Sequence, residues 1–78
     1  AIMRISDAKI VHADGGFGLL EIRKNPSNTA QYIVLLHKHD GKSFMLANED
    51  NTVLASPDLG HIVSILKDIG FKQAGLFF

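Results

Sequence analysis

The run TAQYIVLLHKHDGKSFMLA, residues 29–47, constrains the fold more than any other stretch. Side chains alternate along a strand, so Tyr32, Val34 and Leu36 face one way and Ile33, Leu35, His37 and His39 the other. Both faces are apolar from 32 to 36, the mark of a central strand covered on both sides. A helix is the rival reading, but β-branching and the Asp40-Gly41 stop favour a strand. Asp-Gly between apolar runs signals a hairpin, because a type I′ turn needs positive φ at both central residues. KSFMLA then returns as the partner strand.

Further strands follow from the same pattern. AKIVHA, residues 8–13, is apolar and β-branched enough for one, and Asp14-Gly15-Gly16 reads as the turn after it. FGLLEIRK, 17–24, alternates, with Leu20 and Ile22 opposite Glu21 and Arg23. NPSN, 25–28, and NEDN, 48–51, are turns, and TVLA, 52–55, is a further short strand.

The character changes at Ser56. Ser-Pro-Asp reads as a helix start, with a side-chain cap, a proline in the first turn and an acid at the positive end of the dipole. Leu59, Ile62, Val63 and Leu66 repeat at helical spacing. Gly70 followed by Phe71 fits a Schellman ending, with Leu66 and Phe71 in contact. The spacing predicts a helix over 57–69. KQAGLFF closes the chain as a strand that rejoins the sheet at an edge, parallel to a neighbour, with Leu76 and Phe78 opposing Phe77.

The expected fold is therefore α+β: a mainly antiparallel β-meander of about five strands, one amphipathic helix over about 57–69, then a C-terminal strand. The sheet is single, with the helix on one face. One domain over 3–78 is expected. Met3 is a candidate natural start, in which case Ala1 and Ile2 are an expression remnant. The order of four or more antiparallel strands and then a helix resembles the transcription-coactivator type of single-stranded-DNA-binding fold. FMLANEDNTVLASPDLGHIV is similar in outline to the small YegP-like bacterial domains. Neither resemblance carries over a site residue.

Size and charge narrow the partners. A 78-residue chain buries only about 60–65% of the surface its unfolded form exposes, and such domains gain from disulfides, metals or self-association. There is no cysteine, which removes disulfides and thiolate metal sites and suits a reducing cytoplasm. Eight Lys plus Arg balance eight Asp plus Glu, whereas nucleic-acid binders usually carry a basic excess. No stretch approaches the roughly 20 apolar residues of a membrane span, and no signal-peptide pattern opens the chain.

A helix of about 13 residues is roughly 20 Å long and 10 Å wide. It covers only part of one face of such a sheet, yet the central strand is apolar on both. Phe44 and Leu46 oppose Met45 and Ala47 in the same way. Self-association through the bare face, as a two-fold dimer, is the expected remedy. A sheet curled onto itself as a partial barrel is the other.

Chemistry is thinly signalled. His37 and His39 share a strand face and are the weak metal candidates, since some zinc sites use such a pair plus a third ligand. His12, His61, Asp40, Glu49 or Asp50 could supply that ligand, but none stands at a compelling spacing. The plain alternative is a solvated strand end. His61 lies in the first turn of the helix with no nucleophile placed beside it, and Ser56 and Ser64 lack a nucleophile-elbow context. Asp14, Glu21, Asp58 and Asp68 form no visible pair. The glycines of DGGFG lack the order of a dinucleotide or P-loop site, and Gly60 alone does not make an anion site. No catalytic residue, cofactor or metal is assigned. Arg23, Lys24, Lys38 and Lys42, with Tyr32, are the residues of a sheet-based single-strand nucleic-acid binder. The first expectation is instead a small non-enzymatic, cytoplasmic interaction or regulatory module, self-associating as a homodimer or binding another protein. The nucleic-acid binder and a His-dependent metal-binding protein are the alternatives.

Overall fold

A computed structural model describes residues 1–77. The elements run β1 (Ile2–Arg4), α1 (Ile5–Ala13), β2 (Phe17–Asn25), β3 (Asn28–Lys38), β4 (Ser43–Ala47), α2 (Leu59–Ile69) and β5 (Gly75–Leu76). They build one sheet of order β1-β4-β3-β2-β5, so β3 is central, as its two apolar faces require. The α+β class holds. The sheet, however, is mixed: β2, β3 and β4 form an antiparallel meander, while β1 pairs parallel to β4 and β5 parallel to β2. β5 rejoins at an edge, as expected, but with two residues only. Phe78, placed opposite Phe77 by the alternation, lies outside the described residues.

The second difference is a second helix. AKIVHA is not a strand but the body of α1. In a strand, Ala8 and Ile10 would share a face; here Ala8 is fully buried and Ile10 is 63% exposed, as a helical turn demands. Ile5, Ala8 and His12 are the residues of α1 that pack inward, Ile5 and Ala8 in the core and His12 on Phe71. Asp14-Gly15-Gly16 therefore ends a helix rather than a strand. Gly15 has φ +71°, its N–H donates to the His12 carbonyl, and the Gly16 N–H donates to the Val11 carbonyl, which is a Schellman ending. Glycine serves a helix end and a hairpin through the same positive φ, so the tripeptide alone does not separate them.

Three local expectations also shift. The Asp40-Gly41 hairpin has a three-residue loop, His39-Asp40-Gly41, closed by Lys38 N–H to Lys42 C=O at 2.8 Å. Gly41 has φ +90° but Asp40 does not share the positive φ, so this is not a type I′ turn but the three-residue form with glycine last. TVLA is not a strand; it makes one isolated bridge, Ala47 to Val53, with a second from Tyr32 to Ser56 just beyond it, and drops Leu54 into the core. α2 starts two residues later than expected because Asp58, not Ser56, is its cap. The Asp58 carboxylate accepts from the N–H groups of Gly60 and His61. The Ser56 backbone is engaged with Tyr32. The far end is as read: Gly70 has φ +118°, and Gly70 and Phe71 donate to Lys67 and Leu66.

Both helices lie on one side of the sheet. Ala8 of α1 and Ile62, Leu66 and Ile69 of α2 join Leu20, Ile22, Val34, Leu36 and Leu46 in one core. The expectation of helix on one face alone stands, with two helices in place of one. The element order behind the single-stranded-DNA-binding resemblance is not the order found, since α1 precedes the meander and β1 precedes α1. Ala1 and Ile2 take part in the sheet: Ile2 pairs with Met45, and the Ala1 carbonyl accepts from the Met45 N–H. No helix among the described residues is long and apolar enough to cross a membrane.

Candidate interaction surface

The strand registers fix what the helix-free face carries. Glu21 stands opposite Leu35, Arg23 opposite Ile33, Leu35 opposite Met45, and His37 opposite Ser43. Ile2 and Arg4 of β1 stand opposite Met45 and Ala47, and Val53 bridges Ala47. Residues paired across a ladder share a face. The face therefore holds an apolar field of Ile33, Leu35, Met45, Ala47 and Val53, with Ile2 at one edge. At the other edge Phe77, 43% exposed, follows Gly75, the partner of Glu21.

A polar chain crosses this field diagonally. His37 Nε2 lies 2.6 Å from Glu21 Oε1, and His37 Nδ1 lies 2.7 Å from the Ser43 hydroxyl. Arg23 donates to Glu21 Oε2 from Nε at 2.9 Å and from Nη2 at 2.5 Å. The Arg23 guanidinium also lies 5.0 Å from the centre of the Phe77 ring, within cation–π range. Glu21 is only 6% exposed, the one buried charged residue among those described. Its burial is compensated because both carboxylate oxygens are bonded. The Arg23 hydrogen bonds hold its carboxyl below the ordinary glutamate range, burial opposes them, and His37 adds to the lowering.

With Glu21 a carboxylate, a neutral His37 ring must donate from Nε2 and accept from Ser43 at Nδ1. Hydroxyl, imidazole and carboxylate thus stand in proton-passing order. None of Ser43, His37 and Glu21 lines a main cleft, and the shallow cleft on this face lies between the 25–27 loop and Ile33, Met45 and Val53. The arrangement is a charge-bearing patch set in an apolar sheet face.

The other candidate residues are dispersed. His39 leaves the strand at the turn, where its ring packs on Gly18, so it does not continue the alternation that would align it with His37. His12 packs on Phe71 with ring centres 4.5 Å apart, and His61 is exposed on α2. No group of three metal-ligating side chains occurs among the described residues. Arg23 and Lys24 alternate onto opposite faces. Lys38 pairs with Asp40 at 3.5 Å, and Lys42 stands exposed beside the hairpin loop.

Glu21 and Ser43 are the members that sequence reasoning missed. A register read outward from the NPSN loop, where Asn25 faces Asn28, sets Glu21 opposite Tyr32. The irregularity after Lys24 moves Tyr32 opposite Lys24 and Leu35 opposite Glu21. Only that shift brings Glu21 within reach of His37. No protein-family model matches this chain, and no curated protein and no solved structure shows significant similarity to it.

Proposed function

We propose that this chain is a non-enzymatic interaction or regulatory module that self-associates through the helix-free face of its sheet. The observation that carries this reading is the placement of α1 and α2 on one side, which leaves no helix over the other face: Leu35 and Met45 are half-buried there and Ile2 and Phe77 are exposed at its edges, while Ile33 and Ala47 are already buried. The five strands together hold 30 residues, which at about 3.3 Å rise per residue and about 4.8 Å spacing give on the order of 480 Å² per protomer. Two copies would bury about 1,000 Å², the size of a weak, reversible interface. The occupant is a second copy: the balanced charge of the chain offers no net self-repulsion, and a two-fold axis sets the same apolar field against itself.

Light scattering after gel filtration tests this. The expected mass at micromolar concentration is twice 8.5 kDa, and Leu35→Lys or Met45→Lys returns it to the single-chain value with the circular dichroism retained. A wild-type mass of one chain at the same concentration overturns the proposal.

A sheet-based single-strand nucleic-acid binder is the second reading, favoured by Arg23 over an exposed Phe77 on the open face. Its test is retention of a labelled oligonucleotide at low salt, lost on Phe77→Ala and weakened as salt rises.

A further inference from the structure

The side of the sheet that carries the helices is not fully closed. Between α2 and β5 lies a cleft of about 210 Å³ lined by Ile22, Val63, Leu66, Phe71 and Leu76. Two cations, Lys67 and Lys72, also line it, and none of its lining residues is acidic. Among the described residues neither lysine is ion-paired, and both are solvent-exposed. An apolar cavity with a few charged groups at its margin is the usual form of a small-ligand site.

We infer that this cleft binds a medium-chain carboxylate, its aliphatic tail between α2 and β5 and its anion at Lys67 and Lys72. Charge selects the class: two ammonium groups that make no ion pair among the described residues, beside an acid-free apolar lining, favour an anionic amphiphile over a neutral or cationic one. Volume selects the length. An apolar cavity of about 150 Å³ holds the six carbons of benzene, so this one holds about eight. The site lies on the opposite side of the sheet from the proposed self-association face and stands independently of it.

The test is a titration of the ¹⁵N-labelled full chain with butyrate, hexanoate, octanoate and dodecanoate, with octylammonium as the charge control. Saturable shifts are expected at the amides of Val63, Leu66, Ala74 and Leu76. Affinity should rise about fourfold per methylene up to about eight carbons and then level. Octanoate should bind with a Kd on the order of 0.1–1 mM, at least about tenfold tighter than octylammonium. Ala74→Trp, at an exposed lining position, should abolish the shifts, and the Lys67→Glu/Lys72→Glu double variant should reverse the charge preference. Equal binding of octanoate and octylammonium, or no saturable shift with either, overturns the assignment. So do shifts confined to Leu35 and Met45. Concentration-dependent shifts of the cleft amides without ligand would seat a second copy there and also overturn it.

Discussion

The His37 imidazole and the Glu21 carboxylate meet at 2.6 Å and tie β3 to β2 across the face that no helix covers. The tie is diagonal, since Glu21 stands opposite Leu35 and His37 opposite Ser43. It fixes the only buried charge among the described residues in the middle of an apolar field. On the proposed packing of a second copy against that field, a misaligned copy would cover this charge without matching it.

The first prediction concerns the proton on His37. Glu21 accepts from Nε2, which leaves Nδ1 to accept from Ser43. Nitrogen-15 NMR of the neutral ring should show the Nε2–H tautomer alone. Glu21→Gln replaces the anion with an amide that can present either a donor or an acceptor, so the ring should then show both tautomers. Two tautomers in the parent chain would contradict the geometry.

Acid should unfold the protein through a defined set of carboxylates. Arg23 lowers the carboxyl of Glu21, the Lys42 N–H that of Asp40, Ser6 that of Glu49, and Thr52 that of Asp50. A depressed folded-state pKa means that the unfolded chain binds more protons in acid. Stability from these groups is complete above the unfolded values of about 3.9–4.3 and is lost as pH falls through the lower folded values. Urea unfolding should be nearly flat from pH 7 to about 5 as far as these groups are concerned, and should steepen below about 4.3. Glu21→Gln should reduce that slope. Added salt should weaken the part owed to Asp40 and Glu49, which are exposed and draw on the charges of Lys38, Lys42, Arg4 and Lys9.

The acid set also shows why part of the fold was legible and part was not. The signals of α2 are local: an Asp58 cap, a 3.6-residue apolar stripe and Gly70-Phe71 at the end. The stripe and the ending are legible in the sequence itself, and the one difference is the cap, which falls on Asp58 rather than Ser56. α1 has only the last of these signals, and its Gly15-Gly16 ending fits a hairpin turn equally well. Its N-cap position, Arg4, makes no side-chain cap bond; instead Glu49, 43 positions away, accepts from the Ser6 N–H at 3.0 Å. A cap from another part of the chain leaves no mark near the helix, and Ile10 on its outer face mimics a strand residue. β1 was missed for the same reason, being defined by pairing with β4. The candidate face was half legible. Alternation put Ile33, Leu35 and His37 together, while Glu21 needed a register that an irregular hairpin shifts.

Core truncations should separate the two helices. Leu36 and Ile62 are fully buried and belong to the same core. Leu36→Ala and Ile62→Ala should each cost about 2–5 kcal/mol, enough to unfold much of so small a domain. Ile10→Ala on the outer face of α1 should stay within about 0.5 kcal/mol. If residues 8–13 were a strand sharing one face between Ala8 and Ile10, the Ile10 change would be costly instead. Denaturant titration of the three variants decides between them.

The helix caps supply a graded test. Asp58 accepts two N–H groups at the start of α2, so Asp58→Ala should cost about 1 kcal/mol. The Ser56 hydroxyl accepts the Asp58 N–H at 3.0 Å and donates at 3.5 Å to the Asp58 carbonyl, but satisfies no free N–H of the first helical turn. Ser56→Ala should cost less, reversing the order expected from Ser-Pro-Asp as a cap sequence.

The two helix-ending glycines should respond differently to the same change. Gly15 and Gly70 both hold positive φ, so alanine at either forces a left-handed conformation costing about 1–2 kcal/mol. At Gly15 an added Cβ meets nothing within 4 Å, and backbone strain is the whole cost. At Gly70 it would lie 2.9 Å from Cδ2 and Nε2 of His12, whose ring packs at a tilt against Phe71 and joins the end of α2 to α1. Relief requires the ring to move and the helix contact to loosen, adding an overpacking cost of about 1–3 kcal/mol. Gly70→Ala should therefore destabilise more than Gly15→Ala. The double variant His12→Ala/Gly70→Ala isolates the contact: it should recover the overpacking part relative to the sum of the single changes. Strict additivity in denaturant unfolding would mean that His12 does not pack on Gly70.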